Sequence, residues 1–163
     1  MTGEVGFPVS RRLVLKAATS VALIGLSGFS LTPIPALAAY DKYPEDAFKQ
    51  KSDADAIKSL YGGKAAEASD KVKLDAPEIA ENGAVVPVSV TTTLPAVTSI
   101  SFFVSENPNA LAAFYVIPEG TVPGVANRLK MQKTSNVIAI VESEGKLYSA
   151  TREVKVTVGG CGG

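Results

Sequence analysis

Histidine and tryptophan are absent from the 163 residues, and cysteine occurs once. Without histidine, Ser-His-Asp and Cys-His catalysis, His-ligated haem and most zinc sites are excluded. One cysteine likewise excludes internal disulfides, CxxC redox chemistry and iron–sulfur clusters. An excess of either charge is also missing, since sixteen Lys and Arg balance sixteen Asp and Glu. Nothing in that balance draws the chain to nucleic acid. Three kinds of function survive: carboxylate chemistry, binding without catalysis, or work done by the one thiol. Carboxylate chemistry has little support, because Asp53 and Asp55 sit at a charged helix start, where they read as solvated caps.

A strongly apolar run long enough for a membrane anchor is lacking too. No charge occurs from Ala17 through Tyr40, but Thr19, Ser20, Gly25, Ser27, Gly28 and Ser30 dilute the stretch. An anchor needs about 20 predominantly apolar residues. Pro33 and Pro35 break the run, and Ala36-Leu37-Ala38 supplies the small residues that signal peptidase requires. Residues 1–38 therefore read as a signal peptide, with a retained anchor as the weaker alternative. Ser10-Arg11-Arg12-Leu13-Val14-Leu15-Lys16 resembles the twin-arginine export motif, with Val14 where Phe is preferred. An ordinary Sec signal that happens to carry Arg11 and Arg12 is the other possibility. Twin-arginine export implies folding before crossing, a periplasmic destination and a partner collected in the cytoplasm. Cleavage after Ala38 leaves 125 residues and removes three basic residues against one acidic, so the mature charge is about −2. A chain of that size buries roughly two-thirds of its unfolded surface and needs no disulfide staple.

Residues 39–63 read as a helical preface. Pro44 opens a first turn with Glu45 and Asp46 near the positive helix end. Ser52 or Asp53 is the next N-cap, before Ala56, Ile57, Leu60 and Tyr61, and Gly62-Gly63 ends the helix. From Val72 the period becomes two. Val86, Val88 and Val90 alternate with Pro87, Ser89 and Thr91; Ile100, Phe102 and Val104 alternate with Ser101, Phe103 and Ser105. Val125, Asn127, Leu129 and Met131 face away from Arg128, Lys130 and Gln132, and Val137–Val141 is a continuous apolar run suited to a central strand. Ser143-Glu144-Gly145-Lys146 is a hairpin turn. With Val72–Leu74, Phe114–Val116 and Leu147–Val158 this makes about seven strands in residues 64–158. The expected class is all-β, an immunoglobulin-like sandwich, with a β-barrel as the alternative. Pro87 predicts an edge or a bulge in its strand. The Phe102-Phe103 and Phe114-Tyr115 pairs hint at a protein interface, against the plainer expectation that both faces of a sandwich need aromatics.

Residues 159–163 close the chain as Gly159-Gly160-Cys161-Gly162-Gly163. Glycine has the largest backbone freedom and no side chain to pack, so a flexible arm is expected. The three residues from Val158 to Cys161 span about 10 Å when extended. An ordinary cysteine thiol titrates near about 8.5, leaving a few per cent as thiolate at neutral pH. No basic residue is closer in sequence than Lys155, and the terminal carboxylate of Gly163 disfavours a thiolate. Cys161 is thus a handle for other proteins' active sites, not a self-activated nucleophile. Prenylation needs the cysteine fourth from the end, and a lipoprotein cysteine would follow the signal peptide, where Ala39 and Tyr40 stand. Ubiquitin-like sulfur carriers share a Gly-Gly end but are smaller, mixed α/β proteins that use the terminal carboxylate. A frayed end with an incidental cysteine, on a periplasmic immunoglobulin-like binding or assembly module, is the competing interpretation.

The stretch Val156-Thr157-Val158-Gly159-Gly160-Cys161-Gly162-Gly163 resembles the C-terminus of the SoxY family, the sulfur carriers of the bacterial Sox thiosulfate-oxidation system. Glu81-Asn82-Gly83 before alternating valines, and Arg128-Leu129-Lys130-Met131 with Thr134-Ser135, resemble weaker motifs of the same family. The resemblance implies a periplasmic carrier without cofactor or catalysis of its own. Cys161 would bear the sulfur intermediates and Gly159, Gly160, Gly162 and Gly163 would form the swinging arm. It implies a SoxZ-like sandwich partner in a heterodimer, with higher assembly through a Cys161 disulfide as an open question. It further implies a c-type haem enzyme that attaches sulfur oxidatively, a hydrolase that releases sulfate, and in some systems a sulfur dehydrogenase.

Overall fold

The structure, a computed structural model, describes residues 43–158. Among the described residues two short helices come first. α1 (Glu45–Phe48) starts at Pro44, whose φ of −78° suits a helix entry, and carries Glu45 and Asp46 in its first turn. α2 (Asp53–Tyr61) is capped by Ser52, whose Oγ accepts a 3.1 Å hydrogen bond from the Asp55 N–H. It stops at Gly62, whose φ of +67° is left-handed. Asp53 is more than a solvated cap: its Oδ2 accepts from Ser105 Oγ at 2.6 Å, tying the helix start to the sheet.

Nine strands follow among the described residues: β1 (Ala66–Ala68), β2 (Val72–Asp75), β3 (Ile79–Ala80), β4 (Val86–Thr92), β5 (Val97–Val104), β6 (Leu111–Val116), β7 (Gly124–Leu129), β8 (Ser135–Ser143) and β9 (Lys146–Val156). They form two open sheets, so the architecture is a sandwich and not a barrel. The larger runs β1-β9-β8-β5-β6, with β3 also on β9; the smaller runs β2-β4-β7. The seven strands expected from periodicity are all present. β1 and β3 are additional, and both pair parallel to β9. At two or three residues they are too short to show a period.

The first core lies between the sheets. Val86, Val88 and Val90 of β4 meet Ile100, Phe102 and Val104 of β5 and Val137, Ala139 and Val141 of β8, with Met131 and Val154 beside them. The second core lies on the other face of the larger sheet. There Phe103, Leu111, Ile140 and Leu147 pack with Ala47, Ala56 and Tyr61 of the helical preface. β5 and β8 are consequently buried on both faces, which explains the continuous apolar run in β8 and the adjacent phenylalanines in β5. Phe102 turns into one core, edge-on to Tyr115 at 6.3 Å, and Phe103 into the other. Phe102 and Phe103 fill the interior, as the plainer expectation held, while Tyr115 and Phe114 pack half-buried against the first and second cores.

Pro87 sits on a strand that is interior for half its length. β2 pairs with β4 only from Ser89 to Thr92, whereas β7 pairs with it from Val86 to Thr91. At Pro87 the strand therefore has β7 on one side and no β2 partner on the other, a local edge that tolerates the missing donor.

Candidate functional site

The expected site residues are Cys161, Gly159, Gly160, Gly162 and Gly163, with Arg11 and Arg12 for export. All lie outside the described residues. What the structure gives is the root from which the C-terminal residues depart, and that root is built by β9.

β9 is eleven residues long. It leaves β8 through Glu144 and Gly145, with φ of +50° and +75°, the pair of left-handed residues a type I′ hairpin needs. The β8–β9 ladder runs from Ser143↔Lys146 to Ser135↔Val154 and ends there. Beyond Val154 the chain is held differently. The Lys155 N–H donates to the Glu78 carbonyl at 2.9 Å, and the Thr157 N–H to the Ala80 carbonyl at 3.1 Å. Thr157 Oγ1 donates to the Glu81 carbonyl at 3.1 Å. The Gly83 N–H closes the set by donating to the Val158 carbonyl at 2.8 Å. From the other side, the Val156 N–H donates to Thr134 Oγ1 at 3.0 Å.

The segment making these bonds is itself anchored. The Gly83 carbonyl accepts from the Met131 N–H at 2.7 Å, and Met131 is fully buried. Asn82 Oδ1 accepts from the Ala84 N–H at 2.8 Å, an Asx turn that shapes the bend. The Lys155–Glu78 ion pair, at 3.8 Å with both side chains exposed, adds little. Val158, three residues before the cysteine in sequence, is 63% exposed.

Sequence reasoning missed Thr134, Thr157 and Gly83 as the residues that fix this root. Glu81-Asn82-Gly83 stands out as a weak motif of the resemblance, but a two-residue parallel pairing carries no periodic signal. Among the described residues no group of three or more His, Cys, Asp or Glu is placed to hold a metal. No helix among them is long and apolar enough to cross a membrane. A groove of about 670 Å³ opens beside Pro87, lined by Asp75, Pro77, Ser89, Asn127 and Arg128. Asp75 is the carboxylate in its lining.

The comparisons with known proteins agree with this geometry. The family model described as "Sulfur oxidation protein SoxY" matches residues 57–161, well over half the chain, and its match ends on Cys161. Among solved structures, the sulfur carrier protein SoxY from Chlorobium limicola f. thiosulfatophilum is similar at 43% sequence identity. The similarity covers 64% of this chain and 94% of that one, with a TM-score of 0.59. A search of curated proteins finds no match. A helix-backed sandwich whose last strand ends beside a Gly-Gly-Cys-Gly-Gly terminus, matched by the family model through that cysteine, places the sequence: the chain belongs to the SoxY family.

Proposed function

We propose that this protein is the sulfur carrier of a Sox thiosulfate-oxidation system and holds its cargo covalently on Cys161. It is a carrier subunit, not an enzyme. The observation that carries this reading is the family match extending through Cys161, together with the exposure of Val158 three residues before it. In the carrier cycle the sulfane sulfur of thiosulfate bonds to the Cys161 sulfur, and two electrons pass to a c-type haem enzyme. Water then displaces the terminal sulfonate as sulfate in a hydrolase, leaving a persulfide on Cys161. A sulfur dehydrogenase, where the system has one, oxidises that remaining sulfane. The thiol needs no activating neighbour of its own, since each enzyme supplies activation in its active site. Gly159, Gly160, Gly162 and Gly163 make a stalk thin enough to enter a narrow cleft.

Membership of the family implies partners within the Sox system, and we assign a SoxZ-like subunit as the stable one. Residues 1–38, with Arg11 and Arg12, act as a twin-arginine signal peptide that carries the folded pair to the periplasm. Replacing Cys161 with Ser in the host tests the proposal: thiosulfate oxidation stops while the protein is still exported and paired. Oxidation at the wild-type rate would refute covalent carriage, and export unaffected by Arg11→Lys with Arg12→Lys would refute the export route.

A further inference from the structure

We infer that residues 78–83 form a latch that sets where the carrier arm begins, and that Thr157 and Thr134 are positioning residues for Cys161. The inference rests on the carrier function proposed above and adds a mechanical element to it. The antiparallel ladder that holds β9 ends at Val154. Residues 155–158 are kept in line by the bonds from Lys155 to Glu78, Thr157 to Ala80 and Glu81, Gly83 to Val158, and Val156 to Thr134. Gly83 passes the restraint to the interior through the N–H of buried Met131.

The latch decides the length of the tether. Closed, it leaves three residues from Val158 to Cys161, an extended reach of about 10 Å. Open, the tether starts at Val154 and spans seven residues, a reach of about 25 Å. The effective concentration of a tethered group falls roughly as the −3/2 power of tether length, so opening costs about three- to fourfold once the body is docked. A short arm therefore favours delivery into a docked enzyme.

Thr134 and Thr157 are exposed, so replacing them spares the core. The paired variant Thr134→Val with Thr157→Val removes two side-chain bonds, and Thr134→Ser with Thr157→Ser keeps both hydroxyls. Three readouts separate latch from scaffold. First, amide exchange at Gly83 and Thr157 rises about tenfold or more in the valine variant and returns to wild type in the serine variant. Second, the protein is loaded with tetrathionate; the Cys161 thiolate displaces thiosulfate and becomes a thiosulfonate. Sulfate release by the host's purified hydrolase then shows kcat falling by up to about threefold with KM unchanged. Third, alkylation of Cys161 by iodoacetamide is unaltered, because a small reagent needs no placement. Faster exchange with unchanged kcat would reduce the latch to a structural detail, and unchanged exchange would show that other contacts hold residues 155–158. If Cys161→Ser loads and releases sulfate as well as wild type, the carrier function itself fails, independently of the latch.

Discussion

The Tyr61 hydroxyl lies 2.8 Å from Ser101 Oγ, in a buried contact that joins the last residue of α2 to the middle of β5. Ser99 extends it outward by donating to Glu142 Oε2 at 3.3 Å, and Lys64 Nζ meets Glu142 Oε1 at 3.0 Å. The helical preface is thus fastened to the sheet by polar as well as apolar contacts. Tyr61→Phe leaves Ser101 with only a 3.5 Å approach to the Ile140 carbonyl. A loss of about 1–2 kcal/mol in urea unfolding, without a change in m-value, is expected.

Phe103 distinguishes a core from an interface. It is fully buried against the helical preface. Phe103→Ala should cost about 3–5 kcal/mol of folding stability. Calorimetric unfolding of the unpaired protein checks this; a variant of wild-type stability that failed only in partner binding would return Phe103 to the surface.

The β8–β9 turn contains an avoidable strain. Glu144 adopts a φ of +50°, where a side-chain-bearing residue is disfavoured. Glu144→Asn creates the Asn-Gly pair that type I′ turns favour and should stabilise by about 0.5–1 kcal/mol. Gly145→Ala should destabilise by about 1–2 kcal/mol. Its added Cβ would meet nothing within 4 Å, so the cost is backbone conformation and not collision. Thermal unfolding of both variants measures the opposing signs.

Glu45 and Lys49 form an exposed i,i+4 pair at 2.6 Å. The hydrogen bond and charge of Lys49 hold the Glu45 carboxyl below its ordinary 4.5, and Glu45 raises the Lys49 ammonium above 10.5. The sign for Glu45 is that its contribution is complete above pH 4.5 and is lost as pH falls through the depressed value. For Lys49 it is complete below pH 10.5 and is lost as pH rises through the raised value. In Lys49→Met, an NMR titration of the Glu45 carboxyl should move back toward 4.5, and high salt should narrow the difference.

Much of the fold was legible because the strands of a half-buried sheet alternate. β4 shows its valines every second residue, and β8 its continuous run. The helix ends were legible too, since Ser52 and Gly62 are the residue types those positions require. What escaped was long-range and backbone-borne. Nothing in the sequence marks β3 as a partner of β9, because Ile79 and Ala80 pair through main-chain groups that every residue carries. The burial of Ser99 and Ser101 was likewise hidden, since serine reads as outward until Tyr61 covers it. Cys161 stood out for the opposite reason: a single thiol between four glycines is a chemical signal that needs no fold to be seen.

The most direct measurement is intact-mass spectrometry of the native protein purified from thiosulfate-oxidising cells, beside its Cys161→Ser variant. The account predicts sulfane or thiosulfonate adducts that localise to the C-terminal peptide, vanish on reduction and are absent from the variant. An unmodified thiol under active thiosulfate oxidation, or the same adducts on the variant, would contradict it.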